Sequence, residues 1–365
     1  MNIVFRCDAS LQIGAGHVMR CLTLANALSL EGHECTFICK AHAGHLIEKI
    51  SQNGHQAYAL AVAIDSDKQV GDSAYRLDHS HWLGSSQALD ATQCQQSLSH
   101  HTIDWLIVDH YALDYEWESR LRAYAKRIMV IDDLADRAHD CDLLLDQNLG
   151  TQDTDYARLV PSHCKLMTGT KYALLRPEFA EWRDYSLRRR QLAPKLKTLL
   201  INLGGVDKNN VTTQILKALV ESALPIDCAI QVIMGATAPY IDSVRKVASE
   251  LPWQTDIIVN AENMAELMAN ADLAIGASGS TTWERCCLGL PSIQLVIADN
   301  QANIASYLQA QKVAFIIHRD SIRSQLTQII KTLVQHPQHL SEVSYKCSTI
   351  TDGLGTEKVR KLLTE

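Results

Sequence analysis

Several familiar signals are missing from this chain, and each absence narrows what it can do. No stretch reaches the ~18 uninterrupted apolar residues needed to cross a bilayer. There is no excess of positive charge: 34 Lys and Arg face 41 Asp and Glu, a formal net charge of -7. Neither nucleic acid nor an anionic membrane surface is therefore expected as a partner. The 11 cysteines contain no C-x-x-C pair, which removes the usual zinc and dithiol frameworks. No metal and no cofactor are expected, and the thiols should be reduced and mostly buried. The 15 histidines are scattered; His79, His81, His100 and His101 read as surface loop residues rather than ligands. Low-complexity tracts and short-period repeats are lacking too. The first residues, Met1 to Arg6, enter a strand pattern without the shape of a signal peptide. The expectation is a cytoplasmic protein, and nothing in the sequence specifies an oligomer.

What is present is an ordinary globular composition, 47% hydrophobic and 21% charged, over 365 residues. That length suits two domains better than one core. Short β-rich runs at 3–7, 35–39, 56–60, 105–109, 127–131 and 143–146 alternate with helical spacing at 18–30, 46–53 and 116–125. A second series follows residue 195, with strands at 198–202, 230–234, 256–259, 273–275, 292–296 and 314–318. Helices fit between them at 211–222, 240–251, 264–270 and 281–288. Such βα alternation predicts an α/β protein of two Rossmann-like, parallel-sheet domains facing across a cleft. The domains are expected at 1–187 and 196–365, joined by a polar, basic segment carrying Pro194. Arg188-Arg189-Arg190 reads as a solvated linker or a helix end. Residues 60–102 look longer than such a fold needs and suggest a surface insertion with Asp65, Asp67, Asp72, His79 and His81.

Ligands of open α/β sheets bind beyond the carboxyl ends of the strands. Gly14-Ala15-Gly16-His17 sits there, between a strand and a helix. The helix start places His17 where a neutral imidazole can accept a proton from water. Asp109-His110-Tyr111 ends another strand, with Tyr111 able to contact a sugar or orient His17, or simply to pack. Asp132-Asp133 reads first as a turn cap. In the second series, Gly204 and Gly205 allow backbone to approach a diphosphate. The string from Ala274 to Glu284, an apolar strand, a small-residue loop and a helix start, reads as a nucleotide cradle. Its Ser278, Gly279, Ser280 and Thr281 suit phosphate oxygens, and Glu284 suits the two hydroxyls of a ribose. Asn300 and Gln301 end the next strand and offer amides to sugar hydroxyls or N-acetyl groups, or a helix cap.

Arg6-Cys7-Asp8-Ala9-Ser10 with Ile13-Gly14-Ala15-Gly16-His17-Val18-Met19-Arg20-Cys21 is more specific than a glycine turn. The string resembles the opening of the UDP-2,4-diacetamido-2,4,6-trideoxy-β-L-altropyranose hydrolases of pseudaminic acid biosynthesis. Asp109-His110-Tyr111, Asp132-Asp133, the run from Tyr172 to Phe179, Gly204-Gly205 with Asp207, Glu284, Asn300-Gln301 and Asp352-Gly353-Leu354-Gly355 follow in the same order. The resemblance implies a glycosyltransferase-B fold, with UDP held mainly by the C-terminal domain. It implies attack of water at the anomeric carbon with inversion, and His17 as base. Tyr111 would line the sugar, while Arg176 and Asn300 would bind substrate. Two other readings fit the same residues: an inverting UDP-sugar glycosyltransferase, and a sugar-nucleotide-binding protein without chemistry.

Overall fold

Apolar runs rich in Ile, Val and Leu become strands in two separate, wholly parallel sheets. The computed structural model describes residues 1–62, 77–98, 102–191, 195–297 and 301–365. Asp65, Asp67, Asp72, His100, His101, Pro194 and Asn300 lie outside them. The first sheet contains β1 (Asn2–Cys7), β2 (Glu34–Lys40), β3 (Gln56–Leu60) and β4 (Ile103–Asp109). It is completed by β5 (Ala125–Ile131), β6 (Leu143–Asp146) and β7 (Lys165–Thr168), in the order β3-β2-β1-β4-β5-β6-β7. The second contains β8 (Thr198–Asn202), β9 (Ala229–Met234), β10 (Thr255–Val259), β11 (Leu273–Ala277), β12 (Ser292–Val296) and β13 (Phe315–His318), in the order β10-β9-β8-β11-β12-β13. Each order reverses once, between β1 and β4 and between β8 and β11. Both switch points open a crevice at the carboxyl edge.

Both faces of the first sheet are covered, and the strand sequences show why. Ile3, Phe5 and Cys7 pack into one cluster with Val18, Cys21 and Leu24, while Val4 packs into another with Leu106, Val108 and Trp117. A strand buried on both sides reads as a continuous apolar run, not an alternation. Every strand expected from the sequence is present; β7 was not expected, because only two of its four residues are apolar. The segment 60–102 is not wholly an insertion. Its helix Gln87–Leu98 buries Ala91, Cys94 and Leu98 against the sheet.

The chain divides into Met1–Leu174 with Thr356–Glu365, and Leu175–Gly355. The expected break near 188–195 falls instead inside or just after the helix Pro177–Gln191, which packs within the second unit. Arg190 is buried, not solvated. It donates to the carbonyls of Ala271, Met268 and Leu288 at 2.8, 2.9 and 3.1 Å. These oxygens end two helices, where a guanidinium satisfies orphan acceptors and the helix dipole together. The last helix, Gly355–Thr364, completes the first unit. Val359 and Leu363 join its core, and Trp105 Nε1 donates to the Leu363 carbonyl at 3.0 Å. No helix among the described residues is long and apolar enough to cross a membrane.

Candidate active site

The loop after β1 needs a backbone that turns sharply and then starts a helix. Gly14 provides it with φ +84°, a left-handed conformation disfavoured for residues with a Cβ. The helix Gly16–Ser29 follows, with His17 in its first turn. Beneath it, Asp8 anchors the end of β1. It pairs with Arg6 at 2.7 Å, accepts from the Lys40 backbone N–H at 2.7 Å, and lies 3.2 Å from His110 Nε2. The ends of β1, β2 and β4 are thereby tied together in a fully buried ionic cluster, which Asp90 completes at 2.8 Å from Arg6. Burial alone would raise the Asp8 carboxyl; Arg6 and His110 hold it well below the usual range.

This scaffold brings His17 to Asp109 across the β1/β4 switch point. His17 Nδ1 and Asp109 Oδ1 are 2.6 Å apart. Arg20, one turn beyond His17 on the same helix face, grips Asp109 in a two-point contact, Nε to Oδ2 and Nη2 to Oδ1, each 2.6 Å. Burial favours the neutral carboxyl, but the Arg20 guanidinium and the His17 ring override it and keep Asp109 ionised. An ionised Asp109 can only accept, so Nδ1 donates to it and Nε2 is the ring nitrogen left free of that contact. Asp109 thus fixes the orientation of the ring, which the helix start alone does not do.

Arg20 extends the network to Asp133, with Nη1 2.6 Å from Oδ2. Tyr111 donates its hydroxyl to the same oxygen at 2.6 Å, and Asn148 Nδ2 donates to Oδ1 at 2.9 Å. Asp133 thus belongs to the site, whereas Asp132 serves the turn, accepting from the N–H groups of Leu134 and Ala135 at 3.2 and 2.9 Å. Tyr111 is buried, and its ring meets His17 edge-on with centroids 4.6 Å apart. Trp82 stacks on Tyr111 at 5.6 Å, and His79 lies 4.4 Å from Trp82. His79 is therefore not a plain surface loop residue. Arg20, Asn148 and Trp82 were not singled out from the sequence. The spacing of Arg20 three residues after His17 was the one local signal; Trp82 and Asn148 carry none.

Asp146, at the end of β6, behaves differently. Burial and the nearby Asp133 charge push its carboxyl up to about 7. An unfolded aspartate titrates near ~3.9, so between about pH 4 and pH 7 the folded chain holds the extra proton, and stability is lost as pH rises through that window. Asp8, Asp109 and Asp132 have the opposite sign: their contribution is present above the unfolded value and is lost on acidification. Asp146→Asn should therefore gain stability relative to the parent between pH 5 and pH 8. Urea midpoints at the two pH values test this; an unchanged difference overturns it.

In the second unit, Gly204 and Gly205 follow β8, and Ser278, Gly279 and Ser280 follow its neighbour β11. The N–H groups of Gly204, Gly205, Gly279 and Ser280 find no acceptor among the described residues. The Ser278 hydroxyl is buried and likewise unpartnered. Unpaired donors from two adjacent loops at a switch point have the chemistry to take an anion. Arg285 lies beneath them, donating to the Ala277 carbonyl at 2.7 Å and to the hydroxyls of Thr281 and Thr282 at 3.2 and 3.1 Å. Gly276 leaves room for it: an added Cβ would stand 2.4 Å from Arg285 Nη1 and 2.8 Å from the Asn202 carbonyl. Both neighbours are fixed, so Gly276→Ala should cost about 1–3 kcal/mol, read as a lower urea midpoint.

Glu284 faces the fields of Arg176 and Arg285; burial nonetheless raises its carboxyl. Arg176 pairs with Glu178 at 2.9 Å. Gln301 accepts from the Ile297 N–H at 3.0 Å, and its Nε2 would lie 3.9 Å from a Cβ on Gly279. The loops after β8 and β11 are thus neighbours and Gln301 lies beside Gly279, while Asn300 lies outside the described residues. Asp207 is structural, capping the helix Val211–Leu219 through its N–H groups at Val211 and Thr212, each 2.9 Å. Among the described residues no group of His, Cys, Asp and Glu has the arrangement of a metal site.

Residues 201–356 match the glycosyltransferase family 28 C-terminal domain. The chain is 27% identical over 309 residues to the UDP-2,4-diacetamido-2,4,6-trideoxy-β-L-altropyranose hydrolase of Campylobacter jejuni, covering 84% of this chain and 96% of the relative. It is 26% identical over 208 residues to the spore coat polysaccharide biosynthesis protein SpsG of Bacillus subtilis, covering 56% and 59%. Among solved structures, Acinetobacter baumannii MurG superimposes with a TM-score of 0.68 at 16% identity, covering 100% and 99%. The UDP-GlcNAc 2-epimerase of Neisseria meningitidis gives 0.61 at 11%, covering 100% of both chains. The fold is of the glycosyltransferase-B type, and the sequence is related along most of its length to that hydrolase.

Proposed function

We propose that this chain, a glycosyltransferase-B-type relative of a UDP-sugar hydrolase, cleaves a UDP-linked 2,4-diacetamido-2,4,6-trideoxy sugar at its anomeric carbon. The products are UDP and 2,4-diacetamido-2,4,6-trideoxy-L-altrose, the latter serving pseudaminic acid biosynthesis. His17 Nε2 takes a proton from water as the water oxygen bonds to the anomeric carbon. The bond from that carbon to the phosphate oxygen breaks with inversion, and its electron pair leaves with UDP. Asp109 keeps Nδ1–H aimed away and stabilises the charge that develops on the ring. UDP is a good leaving group, so a placed water and base matter more than a strong acid. The unpaired N–H groups at Gly204, Gly205, Gly279 and Ser280 would take the diphosphate, with Ser278 as a further donor. Glu284 would take the ribose, and Arg176, Asn300 and Gln301 would contact substrate.

The observation that carries this reading is the 2.6 Å contact between His17 Nδ1 and Asp109, made beside an aromatic wall. Hydrolysis in ¹⁸O-water tests it. Label should enter the sugar; label in UDP would mean attack at phosphorus and end the proposal. The family 28 domain favours a second reading, an inverting UDP-sugar glycosyltransferase. That reading expects little UDP release until an acceptor is added. A protein that only binds sugar nucleotides would release none. The expected setting is the cytoplasm.

A further inference from the structure

We propose that Trp82 reads the acylamino substituents of the sugar, making the segment before helix Gln87–Leu98 a specificity element. The inference rests on the nucleotide-sugar reading above. Three observations lead to it. Trp82 stacks on Tyr111 with centroids 5.6 Å apart and rings inclined by 25°, and it lies 6.2 Å from His17 at 73°. His79 closes the group at 4.4 Å from Trp82 and 5.4 Å from Tyr111. A partly buried tryptophan therefore stands one ring away from the base.

The polar groups around His17 are already committed to one another. Asp109 is held by Arg20 and His17, Asp133 by Arg20, Tyr111 and Asn148. The Tyr111 hydroxyl is spent on Asp133, so this residue offers a ring. The indole N–H of the half-buried Trp82 has no acceptor among the described residues and is not shut away from solvent, so it is free to donate to a ligand. Among the described residues, the Trp82 ring brings an aromatic face and an N–H donor beside the base. A hexose hydroxyl needs both donors and acceptors. An acetamido group needs what is available: a face for its methyl and a donor for its carbonyl oxygen.

The test uses the full chain as the parent and as Trp82→Ala and Trp82→Phe. Binding is measured by calorimetry, and turnover separately, with the UDP-linked diacetamido-trideoxy sugar and with UDP-glucose, which has no acyl group. Trp82→Ala should weaken the diacetamido substrate by roughly 10- to 100-fold, chiefly in KM and affinity. Affinity for free UDP and for UDP-glucose should stay at the parent value. Trp82→Phe should recover part of the loss, because the ring remains and the N–H does not. Thermal melting identifies a variant that has unfolded; the phenylalanine variant then decides. Equal loss for both sugars, no loss, or a parent without preference for the acylated sugar would overturn the assignment. A parent that binds but releases no UDP would overturn the hydrolase reading, while the binding ratios would still decide Trp82.

Discussion

His17→Ala is expected to lower kcat by about 10²–10⁴-fold, the usual span for a positioned general base, while UDP affinity is retained. The separation follows from where the groups sit. His17 belongs to the first unit, and the unpaired N–H groups proposed to hold UDP belong to the second. Removing the imidazole takes away the proton acceptor and leaves the cradle residues untouched. His17 is buried, at 8% exposure, but belongs to none of the apolar core clusters. Coupled release of UDP followed over time, with calorimetry of UDP alone, reads both quantities. Turnover close to the parent's would remove His17 as the base. Loss of UDP affinity together with turnover would instead point to a damaged fold.

Asp109→Asn should have two effects, one on chemistry and one on stability. The substitution keeps the size of the side chain but replaces a carboxylate by an amide. Its oxygen can still accept from Arg20, so its NH₂ is turned toward His17 Nδ1. That nitrogen must then accept, and the ring proton moves to Nε2, where it blocks uptake of a proton from water. A wrong tautomer of this kind lowers kcat by ~10⁴-fold in a serine-protease triad, and a fall of about 10²–10⁴-fold is expected here. The second effect comes from Arg20. Its guanidinium is buried and loses a two-point ionic partner, keeping only the outer pair with Asp133. Stripping one partner from a buried pair costs about 3–5 kcal/mol, and Asp133 offsets part of that. Urea unfolding reads the stability loss. Kinetics below the new midpoint read the chemistry, and a folded variant with kcat within tenfold of the parent (about 1.4 kcal/mol) would exclude the His17–Asp109 dyad.

Much of the architecture is legible along the chain because parallel strands buried on two faces are short, apolar and punctuated. The runs at β1, β4, β8 and β11 stand out for that reason, as do the glycine turns after β1 and β8. Where the local pattern is mixed, legibility fails. β7 has two apolar residues, and the helix Pro177–Gln191 carries Arg188, Arg189 and Arg190, which look solvated until Arg190 is seen against helix ends. Its partners lie about 80 or more positions away, at Met268, Ala271 and Leu288.

The candidate site divides the same way. The sequence by itself determined that His17 starts a helix after a glycine turn, that Asp109 to Tyr111 end an apolar strand, and that Ala274 to Glu284 run from a strand through a small-residue loop into a helix. These follow from dihedral preference and hydrophobic period, which act over a few residues. Only the tertiary structure decided that His17 and Asp109, 92 positions apart, hydrogen-bond at 2.6 Å. It also decided that Trp82 covers Tyr111, and that burial beside Asp133 keeps a proton on Asp146 near neutrality. Strand order sets those meetings: β1 and β4 are neighbours in the sheet although two strands separate them in sequence. Tautomer, charge and aromatic contact depend on what faces a group across that gap, and the residues next to it in the chain do not encode it.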